Sequence, residues 1–382
     1  MPIYKMDGKK DGLQRYHVCV NYTDDTGKKR QIDKIAYSPT EAAALERQLL
    51  LDLGEECSSP ITLQQLADEY IGVKKNEVRE TTAEKNKELL KRYVLPQFGN
   101  YLIDKLNIRH MQNWKSEMNN RQIANGNKLS LKYKQNVYST FSALLNYAVK
   151  MEYIATNPLS RLGNFKDANL IRKEMDFYTV EEFKKFIVAA KQRALEIERQ
   201  TGSICEWDYY IFFMIAFYTG MRKGEINALK WTDMRDNVIY VTRSIAQKMK
   251  GEDRETPPKN KSSIRSIQIP IPLKTALTDH YNRHCQTSGF SGDWRVCGGI
   301  KCIRDTTLDH RNREYAQIAN IKTIRIHDYR HSHASVLINA GINIKEIARR
   351  LGHSKVEQTW NTYSHLYPHA EAKALEVLNN II

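Results

Sequence analysis

Long apolar segments are missing from this sequence. The most apolar stretch, YYIFFMIAFYTG at residues 209–220, has about a dozen residues, whereas a helix needs about 20 to cross a bilayer. The N-terminal residues MPIYKMDGKK contain no apolar region of the kind found in signal peptides. We therefore expect a cytoplasmic protein without a membrane partner, in which the apolar stretch forms a buried helix.

Cysteine is scarce and irregularly spaced. The six cysteines do not follow the pattern of a disulfide framework, which fits a reducing compartment. In the segment CGGIKC, Cys297 and Cys302 could bind zinc together with Cys285 or His284. Four intervening residues in a glycine-containing turn are a weak signal for structural zinc, however. We expect unliganded thiols, no metal ion and no cofactor.

Acidic residues are too few to balance the basic ones. Lysine and arginine total 59 against 44 aspartates and glutamates, which gives a net charge of +15 and a pI of about 9.3. Such an excess suits a polyanionic partner. Nucleic acid is the first candidate; an anionic membrane surface comes second on charge alone, and the short apolar stretch weakens it.

The first segment, residues 1–57, has the alternation of β-strands. Val18 and Val20 point to one face, and the turn DDTGKK leads into a second strand. Ser38 and Glu41 form a capping box that predicts a following helix. A small three-stranded sheet packed on one helix could present its strands to a DNA groove, and a solvated basic hairpin is the alternative. The basic residues predicted to bind DNA here are Lys28, Lys29 and Arg30.

Residues 60–162 have a helical pattern and predict an all-α domain. Capping boxes at Thr62/Gln65 and Thr81/Glu84 mark two helix starts. The exposed faces of this domain are rich in lysine, which suits phosphate contacts but is also usual for solvated helices. The lysines singled out as candidate DNA contacts are Lys132 and Lys134.

A charged segment without apolar periodicity, residues 163–176, predicts a linker, and residues 177–382 predict an α+β domain with a C-terminal tail helix. Thr179 and Glu182 form another capping box. The segments NVIYVTR and SIRSIQIPI predict two strands joined across a polar, lysine-rich connection. The overall expectation is a multidomain protein, mainly α with small β elements.

Several short motifs of this third segment carry residues suited to phosphate chemistry. Two guanidinium groups can each bind the oxygens of a phosphodiester through two hydrogen bonds, and a tyrosine hydroxyl can then attack the phosphorus in line. A nearby histidine can move a proton or bind the phosphate, and a lysine can protonate the departing sugar oxygen. The candidate residues are Arg222, Lys259, His327, Arg330, His353 and Tyr363.

These motifs resemble the tyrosine recombinase (integrase) family of phages and mobile elements. The segments FYTGMRKGEINALKWTDM and HDYRHSHASVLINAGINIKEIARRLGHSKVEQTWNTYSHLYP are most similar to integrases of conjugative transposons. The resemblance implies an arm-site DNA-binding domain at residues 1–57, a core-binding domain at 60–162 and a catalytic domain beyond the linker.

By that resemblance Arg222 and Arg330 are the two catalytic arginines, His327 and His353 the two histidines, and Tyr363 the nucleophile. Lys259 falls at the β-hairpin lysine, with Lys261 as the alternative, and Tyr367 is the alternative nucleophile. Glu225 matches an acidic position that braces the first arginine.

The resemblance implies site-specific recombination of a mobile element in the bacterial cytoplasm, in association with the nucleoid. The reaction passes through a 3′-phosphotyrosyl bond and a Holliday junction, on a homotetramer that binds double-stranded attachment sites and needs neither ATP nor metal. An excisionase or a DNA-bending helper is a further candidate partner. The tail AEAKALEVLNNII is expected to dock on a neighbouring protomer or on its own domain.

Other functions remain open from the sequence. A helix-turn-helix is an alternative interpretation of the segment INIKEIARRLGHSKVEQTWNTY. The protein would then be a regulator that binds DNA without cutting it. Type IB topoisomerases share the expected chemistry. A nickase that binds metal through His331 and His333 is disfavoured, since that chemistry needs both histidines on a strand with an apolar residue between them. A covalent DNA adduct formed in EDTA excludes both the regulator and the metal-dependent nickase.

Overall fold

The computed structural model describes residues 3–10, 13–23, 29–52, 61–123, 125–167, 175–246, 254–256, 263–364 and 379. The chain divides into two compact units, Met1–Leu170 and Ile171–Ile382. The predicted finer division at residues 57–60 stays a prediction. Tyr367 and, apart from residue 379, the predicted tail helix lie outside the described residues.

The first unit begins with an antiparallel sheet and one helix. Strands β1 (Ile3–Lys10), β2 (Leu13–Thr23) and β3 (Lys29–Ala36) pair in that order, and helix α1 (Pro39–Asp52) follows. Ser38 Oγ accepts a hydrogen bond from the Glu41 amide at 3.1 Å. The alternation in β2 buries Val18 and Val20 against Ala42 and Leu49, so the predicted three-stranded sheet and helix are confirmed.

Among its described residues the first unit has five further α-helices: α2 (Leu63–Glu77), α3 (Glu80–Tyr93), α4 (Leu95–Phe98), α5 (Ile108–Asn120) and α6 (Leu131–Lys150). The capping box at Thr62 and Gln65 is confirmed. The predicted start at Thr81 is wrong, because α3 already begins at Glu80 after Arg79. The N-cap is Arg79, two residues before Thr81, and it has no side-chain hydrogen bond to the helix.

The second unit contains eight α-helices among its described residues. They are α7 (Val180–Thr201), α8 (Cys205–Thr219), α9 (Lys223–Ala228), α10 (Ile271–Cys285), α11 (Asp305–Ile318), α12 (Asp328–Asn339), α13 (Ile344–Leu351) and α14 (Val356–Tyr363). The capping box of Thr179 and Glu182 at the start of α7 is confirmed.

Short strands lie between α9 and α10. Strands β4 (Met234–Arg235), β5 (Val238–Val241) and β8 (Arg265–Gln268) form one antiparallel sheet, and β6 (Ser244–Ala246) pairs with β7 (Arg254–Thr256) in a second. The two predicted strands pair directly, with Val241 opposite Arg265. The β6–β7 pair is an addition within the connection that was predicted only as polar and lysine-rich.

The apolar stretch forms most of α8 and lies at the centre of the second core. Ile211, Phe212, Phe213 and Ile215 are fully buried, and α8 is packed against α7, α10 and α12. Because residues 211–217 are all buried, this part of the helix has no polar face. None of the helices in the described part of the chain is both long and apolar enough to span a membrane.

A polar cluster is buried in the same core. Asp208 Oδ1 lies 3.2 Å from His280 Nε2 and 3.3 Å from His284 Nε2. These groups have the chemistry of metal ligands, but His280 Nε2 also contacts the Val296 carbonyl at 2.9 Å and so carries a hydrogen. Both Nδ1 atoms lack the hydrogen-bond partner that normally orients a metal-bound histidine. The cluster therefore joins α8 to α10 by hydrogen bonds.

The cysteines weighed for zinc do not join that cluster. Cys285 is exposed, whereas Cys297 and Cys302 are buried. Burial, together with the charge of Asp208, raises the pKa of the Cys297 thiol well above its ordinary value. The group of three potential metal ligands among the described residues contains no cysteine.

Candidate active site

A tight turn after α8 positions Arg222. Gly220 ends the helix with φ of +64°, and a Cβ there would lie 2.8 Å from both His333 Cδ2 and Leu351 Cδ2. Glycine is therefore required at this position for two reasons: the backbone is left-handed, and there is no room for a side chain. The turn places Arg222 at the start of α9, where its backbone N–H and Nη1 each donate to Glu225 at 2.9 Å. The Arg222 side chain stays 38% exposed.

Glu225 is held by a second arginine that sequence reasoning missed. Arg265 Nη2 donates to Glu225 Oε2 at 2.9 Å, and both side chains are buried. Burial alone would raise the pKa of Glu225, but the hydrogen bond and charge of Arg265 and the contact with Arg222 lower it below the ordinary value. The signal for Arg265 was its inward position in β8, on the same face as Ile267.

Arg330 lies on α12 at the centre of the predicted site. It is 3% exposed, and it donates from Nη1 to the Gly220 carbonyl at 2.8 Å and from Nη2 to the Leu351 carbonyl at 2.7 Å. Burial, followed by the charge of Arg222, lowers the pKa of this guanidinium. One side chain thus ties the segment before Arg222 to the segment before His353.

The predicted histidines lie around this arginine on separate elements. His353 follows α13, and its Nδ1 lies 2.8 Å from Thr359 Oγ1. Burial and the charge of Arg330 lower the pKa of His353 to about 4, so the ring is neutral at physiological pH. His327 caps α12; desolvation and Arg330 lower its pKa as well.

Tyr363 ends the last described helix of the second unit. It is 1% exposed and packs in an apolar cluster with Ala334, Ile338, Ile347 and Leu351. Burial raises the pKa of the Tyr363 phenol to about 12, although the charge of Arg330 opposes the shift.

The hydroxyl of Tyr363 has a partner that was not predicted. Its Oη lies 2.6 Å from His331 Nδ1, whereas the sequence suggested His331 only as a disfavoured metal ligand. His333 points elsewhere, since its Nδ1 donates to the Phe217 carbonyl at 2.8 Å inside the core. The two histidines therefore serve different contacts, and neither belongs to a potential metal group within the described part of the chain.

The other predicted residues belong to the first unit or lie outside the described residues. The structure does not describe Lys28, Lys259 or Lys261. For Lys29 only the backbone is described, and it pairs with Thr23 in the first sheet. Arg30 and Lys132 are exposed, and Lys134 Nζ donates to Asn119 Oδ1 at 2.7 Å. Their roles in DNA binding stay predictions.

Models of two protein families match this chain. A model of the phage integrase family matches residues 176–369, and a model of the phage integrase N-terminal SAM-like domain matches residues 62–119. The ICEBs1 integrase of Bacillus subtilis is 26% identical over 99% of this chain and 100% of its own length. The tyrosine recombinase XerC-like protein of Caldanaerobacter subterraneus is 30% identical over 66% of each chain.

Solved structures share the fold. The Tn1549 transposon integrase in complex with transposon right end DNA superposes with a TM-score of 0.63 at 19% identity, covering 83% of this chain and 100% of that one. A lambda integrase tetramer bound to a Holliday junction superposes with a TM-score of 0.53 at 16% identity, covering 93% of this chain and 96% of that one.

Proposed function

Because this chain belongs to the phage integrase family of tyrosine recombinases, we propose that Tyr363 is the nucleophile with which it cuts and rejoins the DNA of a mobile element. The family makes it a site-specific recombinase. The assignment of each residue to a role is a proposal supported by the geometry of the second unit.

The observation that carries the proposal is the position of Arg330 between the other candidates. Its two hydrogen bonds reach the carbonyls of Gly220 and Leu351, which lie close in sequence to Arg222 and His353. The next residue along its helix, His331, holds the Tyr363 hydroxyl. Four motifs that are up to 141 residues apart in the sequence (from 222 to 363) are thus joined through one turn of α12.

The arrangement suits transfer of a phosphoryl group. Arg222 and Arg330 would bind the non-bridging oxygens and stabilise the extra negative charge of the five-coordinate transition state. His353, neutral at physiological pH, would donate a hydrogen bond to the same phosphate. Glu225 and Arg265 keep Arg222 in place and do not touch the DNA.

The reaction conserves the energy of the bond it breaks. The Tyr363 oxygen forms a bond to phosphorus while the bond to the 5′ oxygen breaks, and Lys259 is the proposed donor of the proton that this oxygen receives. One phosphodiester replaces another, so strand exchange needs no ATP. The free 5′-hydroxyl of the partner strand then attacks the 3′-phosphotyrosyl bond and releases Tyr363.

We further propose that double-stranded attachment sites bind both units in a homotetramer. The net charge of +15 supports a DNA partner, and the lambda integrase structure is such a tetramer on a Holliday junction. Residues 1–57 are the proposed arm-site domain, residues 60–162 the core-binding domain, and residues 177–382 the catalytic domain, separated by the linker at 163–176. An excisionase or a DNA-bending protein is the proposed helper.

The test is the formation of a covalent protein–DNA adduct on a nicked attachment-site duplex of the element. Cleavage near the nick releases a short DNA fragment, and once that fragment has diffused away the phosphotyrosyl bond cannot be resealed. We expect a denaturation-resistant adduct in EDTA with the unchanged protein, and none with Tyr363→Phe, which loses one buried hydroxyl and should still bind DNA. Peptide mapping should place the linkage at Tyr363.

Three results would contradict the proposal. An adduct formed by Tyr363→Phe and mapped to Tyr367 would move the nucleophile. Absence of any adduct with the unchanged protein would leave only DNA binding. Relaxation of supercoiled plasmid without exchange between two attachment sites would indicate a topoisomerase.

A further inference from the structure

The contact between Tyr363 and His331 joins the proposed nucleophile to a group that can accept a proton. The Oη–Nδ1 distance is 2.6 Å, and the ring centroids lie 5.4 Å apart with an interplanar angle of 60°. The residues are 32 positions apart on different helices, so tertiary packing makes this contact. Among the described residues, no other side chain is within hydrogen-bonding distance of the Tyr363 hydroxyl.

The hydrogen of this bond belongs to tyrosine. Burial raises the pKa of the Tyr363 phenol to about 12, so the phenol is protonated at neutral pH. Burial and the neighbouring His327 lower the pKa of His331 to about 4, so its ring is neutral there. The charged groups that face His331 from its own segment are Asp328, Arg330 and Arg325, and α14 contributes Tyr363. The neutral Nδ1 therefore accepts the hydrogen bond that the phenol donates.

The other histidines of the site do not offer this geometry. His353 Nδ1 is engaged with Thr359 Oγ1, and His333 Nδ1 donates to the Phe217 carbonyl. The ring of His327 contacts that of His331 with centroids 5.1 Å apart. The hydrogen bond recorded at the Tyr363 hydroxyl goes to His331 and not to His327.

Given the proposed function, on which this inference rests, we propose that His331 is a catalytic residue that takes the Tyr363 proton as the tyrosine attacks DNA. The O–H bond of Tyr363 breaks, an N–H bond forms at His331 Nδ1, and the freed oxygen pair forms the bond to phosphorus. The bond between phosphorus and the 5′ oxygen breaks, its electrons leave with that oxygen, and Lys259 is the proposed donor of the proton that the oxygen then receives. In the rejoining step the imidazolium of His331 returns the proton to the departing Tyr363 oxygen.

The transition state itself favours this transfer. The phosphorane gains negative charge next to the imidazole, and an opposite charge nearby stabilises the protonated ring. Proton transfer by a positioned side chain contributes typically about 10²–10⁴-fold in rate. The low pKa of His331 in the unbound protein keeps the ring available as an acceptor until DNA is present.

The substitution His331→Asn separates proton transfer from positioning. The Asn carbonyl oxygen occupies nearly the place of Nδ1 and can accept the same hydrogen bond, but it is too weak a base to take the proton. With nicked duplex at saturating protein, we expect adduct formation to slow about 10²-fold or more, with unchanged DNA affinity. His310→Asn is the matched control, since that ring is 68% exposed on α11 and should leave the rate unchanged.

A second measurement excludes a merely structural role. When a fluorotyrosine, whose phenol ionises more readily, replaces the tyrosine at position 363, the need for a proton acceptor falls. We expect the rate loss caused by His331→Asn to shrink markedly in that background.

The inference fails if His331→Asn forms adduct as fast as the unchanged protein, or if its rate loss is the same with either phenol. Failure of the proposed function is a different result, because then the unchanged protein itself forms no adduct at Tyr363.

Discussion

Glu225 shows how one buried carboxylate can position two cationic side chains. It accepts hydrogen bonds from Arg222 Nη1 and Arg265 Nη2, both at 2.9 Å. Breaking a buried pair by removing one partner typically costs about 3–5 kcal/mol, because a charge is left without compensation. Arg265 thus stabilises Glu225, and Glu225 in turn keeps the exposed guanidinium of Arg222 directed at the proposed phosphate site.

Replacing Arg222 by Lys tests whether two parallel hydrogen bonds matter at this position. An ammonium keeps the charge but cannot bind two phosphate oxygens in the geometry of a guanidinium. We expect Arg222→Lys to reduce the rate of adduct formation by about 10²–10³-fold, the usual loss for one donor to a transition-state charge. Single-turnover kinetics on the nicked duplex measure this rate. A loss seen only in DNA affinity would show that Arg222 serves binding and not the chemical step.

At the scale of elements, the end of α8 determines where the site forms. Gly220 stops the helix and lets the backbone approach α12 and α13 closely, and its carbonyl accepts a hydrogen bond from Arg330. The turn therefore sets the position of Arg222 and of Arg330 at the same time.

The substitution Gly220→Ala tests this turn, with Gly202→Ala as the matched control. Both glycines follow a helix with positive φ, +64° and +71°, and alanine costs roughly 1–2 kcal/mol in that conformation. At Gly202 the new Cβ meets nothing within 4 Å, whereas at Gly220 it meets two side chains at 2.8 Å. Such overpacking costs about 1–3 kcal/mol more.

Urea unfolding measures the two free energies of unfolding. We expect Gly220→Ala to lose clearly more stability than Gly202→Ala and to slow adduct formation as well. If the two substitutions lowered the free energy of unfolding equally, α12 and α13 would be able to move aside for the new Cβ at position 220, which would contradict this prediction.

For the whole molecule, the excess of positive charge governs how tightly DNA is bound. Lysines and arginines exceed acidic residues by 15 (59 minus 44), and each phosphate contact releases a bound counterion from DNA. The charge is spread over both units, so it acts on affinity and not on a particular chemical step.

We expect DNA affinity to fall steeply with salt, by about 10³–10⁵-fold between roughly 50 and 200 mM if about six to ten phosphates are contacted. Tyr363→Phe should show the same slope, since it changes no charge. Fluorescence anisotropy on an attachment-site duplex measures both proteins. A slope near zero would contradict binding through the phosphate backbone.

The sequence by itself determined the parts of this protein that depend on local spacing. The alternation around Val18 and Val20 predicted the first sheet, the Thr179 box predicted the start of α7, and the order of motifs from Arg222 to Tyr363 indicated the family. These signals are local because strand alternation, capping and motif spacing each span only a few residues. At Thr81 local reasoning placed the helix start wrongly, because α3 begins at Glu80 without a side-chain cap.

Only the tertiary structure decided the contacts between distant elements. Arg265 reaches Glu225 across 40 positions, and His331 reaches Tyr363 across 32; neither separation has a period that a sequence pattern could reveal. Burial also sets which groups are charged: it lowers the pKa of His331 and raises that of Tyr363. Desolvation depends on every chain segment packed around a side chain, so the proton acceptor for the nucleophile became visible only in the folded molecule.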